Sequence, residues 1–246
     1  MKSYQRWFMR NCHYMISSFL FLQVSCSSTS PFLDEDNKRT GLNTIPMYGE
    51  TVKSPELIES DKQFIETTMK SFKDRQSASI YFCGKGWEFI RSDYLNIAMK
   101  RFNQAWLLDS TYYGVYWGFA VVVTERDTNY AQAVHFFEYA NKKMPNDANL
   151  LADYGKSVAN YSMWQKPKFT KEKKEILYNK SDSLYAKAIE LNPKSLDRYY
   201  QSWLESIVFT FGENKNLREV YSNANRDKAE ITSRLRAIIQ GDLSTK

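Results

Sequence analysis

Two histidines and three cysteines are all that the chain offers to nucleophilic or metal chemistry, and their places argue against both. His13 lies in a leading segment that reads as an address, and His135 falls inside an expected helix between Val134 and Phe136. A Ser-His or Cys-His pair therefore has almost nothing to build on. Cys12, Cys26 and Cys83 form no CxxC spacing and no disulfide framework, so a cysteine metal site is not expected. Cys83 stands amid Ile80, Tyr81 and Phe82 and reads as a small buried apolar filler. Glu56 with Glu59 and Glu172 with Glu175 sit at helical spacing, which suits a solvated face better than an acid/base dyad. Gly84-Lys-Gly86 lacks the spacing of a phosphate-cradling loop and fits a close helix contact. The expectation is a protein without catalytic residues, metal or cofactor.

Composition fits a mostly helical protein. Aromatics make up 15% of the 246 residues, whereas Gly (9) and Pro (6) are scarce, which disfavours both disorder and turn-rich β structure. The net charge of +6 suggests nucleic acid only until it is divided, because Lys2, Arg6 and Arg10 supply three of the six with no acid near them. The remaining +3 is spread over interleaved Lys and Glu, an ordinary surface, and no nucleic-acid partner is expected.

The beginning of the chain reads as an address. A basic start leads into the short apolar run Met15-Ile-Ser-Ser-Phe-Leu-Phe-Leu22, too brief to span a bilayer, as a signal peptide over residues 1–25 would be. Leu22-Gln-Val-Ser-Cys26 then resembles a bacterial lipoprotein box, followed by Ser27-Ser-Thr-Ser30; Gln23 departs from it, with the leucine one place early. The resemblance implies lipidation at Cys26, and residues 26–53, which carry no sustained period, read as a lipid-attached flexible tether. A location at the bacterial envelope, periplasmic or outer membrane, would follow.

From residue 54 the apolar positions recur at three and four. Ser54 before Pro55 and Glu56 is a strong helix start, and the first helix is expected over about 55–74. Beyond it, Ala98-x3-Phe102-x2-Ala105 is repeated as Ala133-x3-Phe137-x2-Ala140-x4-Pro145, and the second half returns as Tyr185-x2-Ala188-x2-Leu191-Asn-Pro193. Trp117 and Leu151-x2-Tyr154-Gly155-x2-Val158 supply the other half of the unit. Small residues would let paired helices approach, while Phe102, Phe137 and Tyr185 fill the space between hairpins.

These residues resemble the tetratricopeptide repeat, Trp-x2-Leu-Gly-x2-Tyr, then Ala-x3-Phe-x2-Ala, then Pro, and are similar to bacterial lipoproteins built from it. The resemblance implies an all-α, right-handed solenoid of helix-turn-helix hairpins over residues 54–240, with an N-terminal helix, a C-terminal capping helix and a tail at 241–246. The pattern is broken at Val121, where the second unit should have Gly, and by an excess of about fourteen residues between Gly155 and Ser181, expected as extended helices or a protruding loop over 161–180. Two units are well formed, a third is distorted, and a fourth would begin near Tyr199.

Such solenoids bind proteins or peptides on a concave face lined by the first helix of each unit. The family's groove positions fall on Ile80, Cys83, Trp87 and Ile90, then Val115, Gly118, Val122 and Glu125, then Asn149, Ala152, Lys156 and Ala159. A carboxylate clamp is missing, since its positions hold Cys83, Trp87, Asn149 and Asp153. The groove could be an open face or core under a covering helix. The function implied is a protein-protein interaction or assembly adaptor on a membrane anchor; the alternative is a carrier or accessory subunit holding a peptide or sugar.

Overall fold

In the computed structural model, residues 41–164 and 167–192 are described, and within them the protein is all helical, without a strand. Seven α-helices follow one another: α1 Pro55–Met69, α2 Arg75–Arg91, α3 Leu95–Leu108, α4 Tyr113–Val122, α5 Tyr130–Lys143, α6 Ala148–Trp164 and α7 Lys171–Leu191. The expectations for Cys26, for residues 1–40, for a fourth unit near Tyr199, for the capping helix and for the tail lie outside the described residues.

Local chemistry sets most of the helix starts. The Ser54 hydroxyl accepts from the Leu57 amide ahead of α1, with Pro55 at the first helical position where its missing N–H costs nothing. Asp74, Asn129 and Thr170 accept from Ser77, Gln132 and Lys173 at the starts of α2, α5 and α7. Asp147 takes the amides of Asn149 and Leu150 at 3.0 and 3.1 Å ahead of α6. Each such cap contributes about 1 kcal/mol. The chain leaves α2 through Asp93 at φ 63, a left-handed residue that turns it back toward α3.

Three helix pairs pack as antiparallel hairpins. In the first, Ser79 on α2 donates to the Ala105 carbonyl on α3 at 2.9 Å, and Gly86 lies against the Phe102 ring, so rising numbers on one helix meet falling numbers on the other. In the second, Tyr116 and Phe119 of α4 meet Tyr139 and Phe136 of α5. In the third, the Ser181 hydroxyl of α7 donates to the Gly155 carbonyl of α6 at 2.8 Å, and Tyr185 covers Gly155. Gly86 precedes its aromatic partner by sixteen residues and Gly155 by thirty, so the fourteen-residue excess lies within the third hairpin. It lengthens both helices beyond the contact and their connection: α6 runs nine residues past Gly155 where α2 runs five past Gly86, and α7 begins fourteen residues before Tyr185 where α3 begins seven before Phe102.

The small residues expected at helix contacts, Ala98, Ala105, Ala133 and Ala140, are all fully buried, as are Phe102 and Tyr185. Phe137 is 1% exposed and stacks on Tyr154 with ring centres 5.5 Å apart, joining the second hairpin to the third. Burying one such aromatic stabilises the fold by roughly 1.5 to 3 kcal/mol. Helix α4, Tyr-Gly-Val-Tyr-Trp-Gly-Phe-Ala-Val-Val, is apolar nearly all round because α2, α3 and α5 pack against it and α6 reaches it through side-chain bonds.

The last part of the stretch expected to be tether is folded instead. Residues 42–50 form a short helical turn, Leu42–Thr44, and a left-handed turn, Pro46–Glu50, both seated on α3, with Thr44 and Pro46 buried. No local period announces this, because the segment is held by residues nearly sixty positions away.

Candidate interaction face

The first helices of the three hairpins, α2, α4 and α6, are joined side by side through polar and aromatic contacts. Trp87 on α2 meets Trp117 on α4 edge to face, ring centres 5.0 Å apart. The Trp117 indole N–H then donates to Asp153 Oδ2 on α6 at 3.0 Å. Further along the same seam, the hydroxyls of Thr124 and Ser157 lie 3.4 Å apart, and Lys156 Nζ is 3.5 Å from Glu125 Oε1. These three contacts with α6, one from α4 and two from adjacent residues just beyond its end, define one shared face.

The expected groove residues divide on that face. Trp87, Ile90, Asn149 and Lys156 are part-exposed, Glu125 is exposed, and Ile80 is 47% exposed. Val115 and Val122, expected to meet a partner, have no exposed surface at all, and Gly118, Cys83, Ala152 and Ala159 are likewise buried. The reason is the central place of α4: its third and tenth positions, Val115 and Val122, turn toward neighbouring helices, and the stripe left at the surface is Tyr113, Trp117 and Val121. Val115 and Val122 are therefore core, not contact residues, and Trp117 and Asp153 belong to the face in their place. Both were visible in the sequence, Trp117 as a repeat signature and Asp153 as a failed clamp position, but nothing local joined them.

A change of helical pitch places Glu125. After Val122 the chain makes one wider π turn, Val123–Asp127, before Thr128 at φ 51 breaks it. Such a turn rotates the following side chains relative to an α-helix and often marks functional positions. Arg126 is held by Asp127 and by Asn96 Oδ1 at 2.9 Å, which leaves Glu125 to face Lys156. Burial and then the Glu125 carboxylate push the Tyr130 phenol up, with Lys156 opposing.

Burial pushes the Cys83 thiol up to about 12, against a weaker opposing effect of a hydrogen bond with Trp87. His135 is exposed on α5. Among the described residues no group of three or more His, Cys, Asp or Glu could hold a metal, and no helix is long and apolar enough to cross a membrane. The face presents two indoles in contact, an acid beside them and an ion pair at one end. No protein-family model matches the chain, and no curated protein shows significant similarity to it.

Proposed function

We propose that the protein is a tetratricopeptide-type solenoid that binds a protein partner through the face of α2, α4 and α6 and is held at a bacterial membrane by acyl chains on Cys26. One observation carries the reading: the first helices of three successive hairpins lie side by side and are bonded in series through Trp87, Trp117 and Asp153. The first and third hairpins repeat one contact, glycine on the first helix against an aromatic on the second, at Gly86–Phe102 and Gly155–Tyr185. That internal repetition, with the alanines at matching places, supports the repeat family beyond the all-helical architecture. The partner fitted to this face presents a cationic or aromatic side chain toward the paired indoles and Asp153.

A photo-crosslinking residue introduced at Ile80 or Trp87 tests the reading in intact cells. Capture of one defined protein from these positions, and not from exposed Lys142 on α5, is the expected outcome. Equal adducts from all three positions, or none from Ile80 and Trp87, would remove the face from consideration.

A further inference from the structure

The chain's own residues 42–50 lie on α3 in the manner of a bound peptide. Asn103, fully buried, spends both amide N–H groups on main-chain carbonyls of that segment, Asn43 O and Ile45 O, each at 2.8 Å. Reading main-chain carbonyls with one fixed polar side chain is how peptide sites set register, while side-chain shelves set specificity. The shelf here is Trp106, whose ring lies 6.5 Å from that of Tyr48 at 52°. Met47 packs against the core beside it, and Lys53, paired with Asp61 of α1, places its ammonium 3.6 Å from the centre of the Tyr48 ring.

The occupant is an imperfect ligand. Met47, Tyr48 and Glu50 have φ of 52, 56 and 52°, so three residues with side chains stand in the left-handed region around Gly49. Side chains are crowded there, and the segment's own backbone resists the docked form. Asn103 Oδ1, buried and without a hydrogen-bond partner, shows that the occupant uses the donors of this side chain and leaves its acceptor idle. Beyond the turn, Thr51 and Ser54 are extended and Val52 is wholly exposed, so the segment joins α1 through a stretch that can act as a hinge.

We propose that Asn103 and Trp106 form a peptide-binding site, on a different face from α2, α4 and α6, which residues 42–50 occupy in cis and leave without the helices unfolding. Release lengthens the connection between the helical body and everything N-terminal to it by nine residues, about 30 Å of extended chain, and opens the site to a second peptide of the same character.

Hydrogen exchange on the full chain, read by mass spectrometry, tests this. Amides of 42–50 should exchange at least about a hundredfold faster than those of α3, as local opening requires. Asn103→Ala should speed them about tenfold more, by loss of two hydrogen bonds, with α5 and α6 unchanged. A synthetic peptide of residues 41–53, fluorescently labelled, should bind the full chain, and bind more tightly when Tyr48→Ala weakens the cis segment without touching a helix. Equal exchange in 42–50 and α3 would overturn the proposal. So would failure of the peptide to bind the Tyr48→Ala chain while circular dichroism shows its helices intact.

Discussion

The ring of Phe102 lies so close to Gly118 that a Cβ built there would sit 2.2 Å from Phe102 Cε1, and one built on Gly86 would sit 2.5 Å from the same atom. One aromatic of the first hairpin thus fills the space left by two glycines, one on its own partner helix and one on the next hairpin. Because Phe102 has no exposed surface, its ring has little room to yield.

From this contact, Gly118→Ala and Gly86→Ala should each destabilise the fold, since overpacking costs about 1 to 3 kcal/mol and outweighs the better helix propensity of alanine, about 1 kcal/mol. Gly84→Ala, two residues from Gly86 but exposed with nothing within 4 Å, should instead stabilise by up to about 1 kcal/mol. Thermal melts of the three variants separate the effects. Equal shifts at positions 84 and 86 would contradict the packing.

Ala105→Trp and Ala140→Trp should destabilise the fold for the same reason, by about 1 to 3 kcal/mol or more, and so lower the melting temperature. Ala105 is fully buried where Ser79 draws α2 onto α3, and Ala140 is fully buried on α5. Variants that melt like the parent would show the helix register to be wrong.

Stability should acquire a pH dependence from Glu138. Burial acts to raise its carboxyl, but the hydrogen bond and charge of Lys180 at 2.8 Å, with the Tyr154 hydroxyl at 3.2 Å, hold it below the usual value. A carboxyl lowered in the folded state stabilises above the unfolded value, about 4.3, and loses that contribution as pH falls through the folded one. Glu138→Gln should therefore be the less stable protein at pH 7, with the gap closing toward pH 3. With half of the side chain exposed, the effect should be small. A gap that widened on acidification would reverse the sign and refute the assignment.

Alkylation of Cys83 should be slow in the folded chain, because burial holds the thiol protonated at pH 8. Labelling of the Cys83 peptide, followed by mass spectrometry, is expected to speed up at least about a hundredfold in denaturant. Comparable native and denatured rates would mean an accessible thiol.

Cys26→Ala should release the protein from the membrane fraction or block its processing, and the wild type should take up a fatty-acid analogue. A wild-type chain that stays unlabelled and fractionates as soluble would end the anchor proposal and leave the helical domain as described.

What the sequence determined by itself is the local and periodic part of this protein. Ser54 and Pro55 start α1 because capping acts within four residues, and the spacing of Ala98, Phe102 and Ala105 marks a packed helix face because helical geometry repeats every 3.6 residues. Tertiary structure decided which helix receives which face. The resemblance puts Val115 and Val122 at groove positions, yet α4 has neighbours on nearly every side and both are core. A glycine was expected at position 121, whereas the close approach of Phe102 falls on Gly118, where the second hairpin meets the first. Residues 42–50 look like tether because the bonds that seat them come from Asn103, fifty-eight and sixty residues on. Such contacts depend on where several helices come to rest together, and no window of sequence holds that information.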